Sequence, residues 1–176
     1  MIEFLLFLCP SVLYILVRRK SLGVSRALAH VGWRWGSWQA AGLSLVLFPV
    51  LLGTGYLGIR LVSTASLTLP GVVLVHGVSG AAILRAVGEE IFFRGFLGGL
   101  FLRRWGLWVG NTLQAALFLL PHLVLLSVDV HLWPILPVQF LGGWILGVVR
   151  YRSGSVIECS VLHLSLIHIS EPTRQA

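Results

Sequence analysis

Long apolar runs, each closed by a short knot of basic residues, are the feature that most limits what this chain can fold into. A helix that crosses a bilayer uses about 20 mostly apolar residues. Six runs approach that length: Ile2 to Val17, about Trp38 to Ile59, about Pro70 to Leu102, about Leu107 to Val128, Leu132 to Val149, and one from near Ser155 towards the end. Only 11% of residues are charged and 57% are hydrophobic, whereas a soluble domain carries about 25% charged residues. The expected fold is all-α, a polytopic transmembrane helix bundle of about six spans with the last one incomplete. No internal repeat, low-complexity linker or soluble domain interrupts it.

The charge pattern supplies an independent check. Cytoplasmic loops of membrane proteins concentrate Lys and Arg. The first connection holds Arg18, Arg19, Lys20, Arg26 and Arg34, the second only Arg60. Arg103 and Arg104 follow, then a connection with Asp129 and no base, then Arg150 and Arg152. Basic and non-basic connections alternate as six spans require, so a multi-pass protein of the cell membrane with its N-terminus outside is expected. The net charge of +7 therefore reads as loop asymmetry, and nucleic acid is not an expected partner. The first run lacks a basic segment before it and is read as a retained helix rather than a secretory signal. Trp33, Trp35, Trp38, Trp105 and Trp108 fall near helix ends, as an interfacial aromatic belt would. Cys9 and Cys159 offer no disulfide framework or zinc spacing and are expected to be buried thiols.

Ionisable groups inside spans are expensive and mark function by default. The third run contains Arg85 and then Glu89-Glu90-Ile91-Phe92-Phe93-Arg94. On a helix Arg85 and Glu89 lie one turn apart, as do Glu90 and Arg94, so each acid reaches a guanidinium. Pairing alone makes burial tolerable, and a packing role stays open. Two adjacent carboxylates also suit a division into one general base and one positioning group. The fourth run carries Phe118-Leu119-Leu120-Pro121-His122, in which Pro121 removes a backbone hydrogen bond and leaves a free carbonyl or room for water. Phe118 lies one turn before His122 and can wall a site. The sixth run carries His163. Counted from the basic clusters at about 1.5 Å per residue, Glu89, His122 and His163 come out at comparable depth in the bilayer, unless a break at Gly98-Gly99 lowers the glutamates.

Two mechanisms fit such a set. In one, a glutamate and a histidine activate water while other groups stabilise the oxyanion. In the other, Glu89, His122 and His163 ligate zinc, which acidifies the water; no His-Glu-x-x-His helix occurs. Gly77-Val78-Ser79-Gly80 matches a serine-protease pattern only weakly, since small residues also let membrane helices pack closely. His30, His76 and His131 sit at or near loop positions and have no obvious partners.

Glu89-Glu90-x-x-x-Arg94, then Phe118-x-x-x-His122, then Gly143-Trp144-Ile145-Leu146-Gly147-Val148-Val149-Arg150-Tyr151-Arg152-Ser153-Gly154-Ser155 leading to His163, together resemble the CAAX-processing and bacteriocin-self-immunity (CPBP) family of intramembrane endopeptidases, which includes the Ras-converting enzyme. The likeness covers about residues 83 to 163. It implies a membrane protease that cuts peptide bonds of membrane-associated protein or peptide substrates, in CAAX-type or bacteriocin-related processing, inside a watery cavity in the lipid bilayer. It also implies that Glu89 activates water with His122, that Glu90 and Arg94 support the site, and that His163, with an asparagine four residues later, stabilises the oxyanion. The family has been described as zinc-dependent and as glutamate-dependent. The lack of a dedicated zinc spacing favours the glutamic version with no cofactor, and zinc stays possible. The rival readings are a non-catalytic immunity or scaffold protein and a proton-coupled transporter using Glu89, Glu90 and His122.

The asparagine is missing: position 167 is Ile167. The segment from Leu164 to Arg174 resembles one reading frame of a transposase-type sequencing-library adapter. The expected organisation is therefore 1–70 as two N-terminal helices with a basic loop, 71–163 as a protease core incomplete at its C-terminus, and 164–176 as an adapter-derived artefact. That departure puts the activity of the chain as written in question.

Overall fold

A computed structural model describes residues 2–63 and 80–170, and every element in them is helical. Helix α1 runs over Ile2–Leu22 and α2 over Val24–His30, and α3 follows over Trp38–Ser63. Helix α4, Gly80–Glu90, passes directly into a π-helical segment, Ile91–Leu97, and then into α5, Gly98–Phe118. Short helices α6 (Leu120–Leu123) and α7 (Leu125–Val128) precede a 3₁₀ turn, Val130–Leu132, before α8 (Ile135–Ser153) and α9 (Val156–Ser170). The Gly77–Ser79 stretch and His76 lie outside the described residues.

Three stretches are long and apolar enough to cross a membrane: Trp38–Gly58, Gly80–Ser127 and Val130–Ser153. The second has 48 residues, about 72 Å if straight at about 1.5 Å per residue, more than twice a hydrocarbon core of about 30 Å. It does not stay straight. Gly106 takes φ 69° and ψ −172° inside α5, a conformation open to glycine at no steric cost. Beyond it the chain doubles back until Gly110 lies against the Phe101 carbonyl. The break therefore falls just past Arg103 and Arg104, where the basic cluster placed it. Gly98 and Gly99 break nothing: Gly98 is ordinary right-handed helix (φ −58°, ψ −44°), and both glycines instead let neighbouring backbone approach.

Gly110→Ala gives a direct check on this hairpin. A Cβ there would run into the Phe101 main chain, which cannot rotate away as a side chain can. Overpacking of this kind costs about 1–3 kcal/mol, read as a lower melting temperature in detergent, while Gly42→Ala, with open space around it, should change little.

Helix α8 is the centre of the bundle and packs against α3, α5 and α9, while α1 covers α4 and the π-helical segment. Leu51 of α3, Ile145, Leu146 and Val149 of α8, and Cys159 and Leu162 of α9 form the apolar core. Gly143 and Gly147 bring α8 close to α5, where a Cβ would press on Phe118 or overlap Asn111. This is the small-residue packing of membrane helices. Asn111 Nδ2 donates to the Trp144 carbonyl at 2.9 Å, and Gln114 Nε2 to the Gly143 carbonyl at 3.1 Å. Polarity is inverted relative to a soluble protein: Ser11, Glu90, Arg94, Asn111 and Gln114 are fully buried, while Leu6, Leu13, Leu45 and Val46 are exposed. The chain is an all-helical membrane bundle. Cys159 is buried, but Cys9 is exposed on α1, because α1 has a partner on one side only.

Candidate active site

Both acid–base pairs expected from the one-turn spacing form. Arg85 Nε donates to Glu89 Oε1 at 3.2 Å and also faces Glu3 at 3.8 Å. Arg94 Nη1 donates to Glu90 Oε1 at 2.9 Å. The two pairs differ in surroundings. Glu90 and Arg94 are 0% exposed, whereas the Glu89 side chain keeps 13% exposure and Arg85 60%. Glu90 is thus locked inside the protein, and Glu89 alone of the two opens to an outside molecule.

The π-helical segment explains how Arg94 is held. Such turns shift the backbone ladder by one residue and recur at functional sites. Two carbonyls of this segment receive side-chain donors from distant helices: Ser11 Oγ donates to the Ile91 carbonyl at 3.2 Å, and Arg150 Nε to the Arg94 carbonyl at 3.1 Å. Arg150 also donates through Nη2 to the His30 carbonyl at 3.1 Å, which Arg103 Nη1 reaches at 2.8 Å. Two of the three histidines thought to lack partners, His30 and His131, have them. His30 Nδ1 lies 2.9 Å from the Tyr14 hydroxyl, and His131 Nδ1 lies 2.9 Å from Asp129. Burial first, then Arg103, Arg18 and Arg150, lowers the His30 pKa, so its ring serves the Tyr14 contact as neutral imidazole.

Pro121 acts as its chemistry dictates. The His122 amide bonds the Leu119 carbonyl at 2.9 Å, one residue tighter than an α-helix. The Phe118 carbonyl, the α-helical acceptor for that amide, takes His122 Nδ1 instead at 3.0 Å. A carbonyl only accepts, so Nδ1 carries the hydrogen and Nε2 presents its lone pair. Phe118 joins the two halves of the site. Its ring lies under Arg94, 4.2 Å from the guanidinium carbon, and packs on Phe93 at 5.1 Å and on His122 at 4.9 Å.

His163 arrives from α9 with Nδ1 at 2.8 Å from Glu90 Oε1 and 16% exposure. Glu90 Oε1 therefore serves Arg94 and His163 together. Glu89, Arg85 and His163 lie near enough to His122 to act on it electrostatically. The structure brings Glu89, Glu90, Arg94, His122 and His163 into one neighbourhood, but it pairs His163 with Glu90 and not with Glu89. Glu90 Oε2 and Arg94 Nε and Nη2 are buried without a hydrogen-bond partner among the described residues, atoms that a water would satisfy.

A metal was the alternative to direct water activation. Among the described residues no three His, Cys, Asp or Glu side chains gather as a metal-ligand set. Glu89, His122 and His163 are not gathered as such a set in this arrangement, although each imidazole keeps its second nitrogen clear of the oxygen that Nδ1 faces.

Compared with known proteins, residues 72–166 match the family described as type II CAAX prenyl endopeptidase Rce1-like. The chain belongs to this family. The Rce1-like match begins before α4 and ends within α9, so it holds Glu89, Glu90, Arg94, Phe118, His122 and His163. At the level of family it supports a CAAX-type intramembrane endopeptidase. No curated protein and no solved structure matches the chain.

Arg150 and Ser11 were missed as supports of the site. Arg150 was read as part of a basic connection and within the Gly143–Ser155 resemblance, and nothing in a one-dimensional pattern says that an arginine near the end of α8 reaches the Arg94 carbonyl.

Proposed function

We propose that the chain is an intramembrane endopeptidase that hydrolyses a peptide bond of a membrane-associated protein or peptide, with Glu89 and His122 activating the water. What carries the reading is the asymmetry of the two glutamates. Glu90 is sealed and holds His163 and Arg94, which frees the adjacent, partly open Glu89 to take a proton. His122 Nε2, its lone pair directed away from the Phe118 carbonyl, is a second acceptor that orients the attacking water. His163 donates Nδ1–H to Glu90 and acts on the developing oxyanion in its doubly protonated form, with Nε2–H as the donor. Catalysis of this type needs a dry, preorganised donor near the reacting carbonyl, and the buried Glu90 supplies the fixed charge that orients it. We place the 71–163 segment as the protease core, in a multi-pass membrane protein with its N-terminus outside.

The test is a membrane-presented reporter peptide incubated in proteoliposomes with the chain and, separately, with its Ile167→Asn variant, the products read by mass spectrometry. A defined cleavage product is expected, larger in amount with the asparagine because that donor would join His163 at the oxyanion. A folded, inserted protein that yields no product in either form overturns the reading. A scaffold would give no product at all, and a transporter would move protons without one. Turnover is expected to survive a strong chelator; its loss, restored by zinc, would move the chemistry to a metal.

A further inference from the structure

A second cavity lies away from the catalytic groups. It has a volume of about 780 Å³ between the first half of α3, the loop that enters it, and α9, which is within the ordinary range for a ligand pocket. Phe48 and Leu162 make its apolar wall, and Trp35 and Trp38 line its mouth, 81% and 94% exposed. Ser37, Ser44, Ser155, Glu158 and Ser165 break that wall. Ser44 is nine-tenths buried and its Oγ has no partner among the described residues; Glu158 is half-buried, and its Oε2 atom is likewise covered and without a partner. The Glu158 carboxylate sits on the backbone of Gly36, where any Cβ would collide with it.

In a chain of net charge +7, Glu158 is the described acid that forms no ion pair. Glu3 and Glu89 face Arg85, Glu90 faces Arg94 and His163, and Asp129 faces His131. The Glu158 carboxylate has the Ser153 side chain as a hydrogen-bond partner but no counter-ion, and covering a carboxylate without one is costly. A cation satisfies it, and tryptophan faces attract the same ion. About one turn back along the chain, the exposed Arg34 guanidinium lies 3.5 Å from where a Cβ on Gly154 would stand. Arg34 lines the neighbouring pocket, which shares Trp35 and Ile157 with this one, so a cation stands beside the anion at the tryptophan belt that marks a membrane interface.

We propose that this cavity binds a zwitterionic bilayer phospholipid with a primary ammonium head group. The ammonium donates to Glu158 and Ser44 between Trp35 and Trp38, the phosphate lies at Arg34, and an acyl chain follows Phe48 and Leu162 inward. A primary ammonium is preferred over choline because both orphan atoms accept hydrogen bonds and choline has no N–H to donate. The site is independent of the proposed peptidase chemistry and shares no residue with it.

Native mass spectrometry of the purified full chain, offered equal amounts of phosphatidylethanolamine, phosphatidylcholine and phosphatidylglycerol with identical chains, reads the preference directly. Phosphatidylethanolamine should be retained about tenfold over the other two, the worth of one charge-assisted hydrogen bond. Glu158→Gln should bring the lipids towards parity, while Glu3→Gln, outside the cavity, should leave the preference intact. Should Glu158→Gln not fold, the wild-type chain suffices. Successive N-methylation of the ethanolamine head removes one donor at a time, and retention should fall stepwise. Equal retention of all three lipids means annular lipid only and overturns the site; so does a preference that survives Glu158→Gln or full methylation.

Discussion

Glu89→Gln is expected to lower the turnover of a membrane-presented peptide by about 10² to 10⁴, the usual contribution of a positioned general base, in whichever of the wild-type chain and Ile167→Asn turns over. The amide has nearly the shape of the carboxylate and still accepts from Arg85, so binding should change little and the loss should fall on kcat. Stability should hold, because an ion pair whose arginine is 60% exposed contributes about 0–1 kcal/mol. His122→Ala should fall as far in kcat while opening a void beside Phe118. The pair of results separates a peptidase from its rivals: a scaffold keeps its biological effect in both variants, and a transporter loses flux without a product ever forming. Glu89→Gln at full turnover would remove Glu89 from the chemistry and return the question to Glu90.

How much of this was legible beforehand follows from the range of the interactions involved. Spacing within one helix was readable, because Arg85 with Glu89 and Glu90 with Arg94 lie one turn apart and need no tertiary information. A disturbed hydrogen-bond ladder at Pro121 was readable for the same reason, since its N–H is missing; that the Phe118 carbonyl is the one left to His122 Nδ1 depends on the His122 amide shifting to Leu119. The hairpin at Gly106 was readable from the basic cluster beside it. What escaped depends on distant contacts. The π-helical turn is held by Ser11 and Arg150, from two other helices, and no local propensity encodes it. Glu90, not Glu89, receives His163, because adjacent residues on a helix point about 100° apart and only the packed position of α9 decides between them. Gly98 and Gly99 suggested a break by composition, yet Gly99 is there to let the His30 carbonyl approach. Cys9 was expected inside because apolar neighbours flank it, but in a membrane the apolar face of an outer helix turns towards lipid.

The largest stability effect belongs to the sealed pair. Glu90→Ala leaves the Arg94 guanidinium buried with no carboxylate and His163 without its acceptor, and removing one partner of a buried ion pair typically costs about 3–5 kcal/mol. Arg94→Ala should cost as much, since it strands Glu90 and also strips the cation from the Phe118 ring, 4.2 Å away. The double change Glu90→Leu with Arg94→Met should cost less than either alone, because it removes both charges and refills the volume with apolar atoms. Thermal unfolding of the wild type, Glu90→Leu, Arg94→Met and the double variant in one detergent closes the double-mutant cycle, and a coupling of several kcal/mol is expected. Glu90→Gln separates structure from chemistry, because the amide oxygen still accepts from Arg94 and from His163. It should melt between Glu90→Ala and the wild type, because the hydrogen bonds persist while the buried Arg94 charge loses its counter-ion, and it should turn over more slowly, through loss of the negative charge that orients His163. A single Glu90→Ala that costs under about 1 kcal/mol would mean that the pair is hydrated like a surface one. The contrast between a sealed and an open glutamate, on which the assignment of Glu89 rests, would then fail.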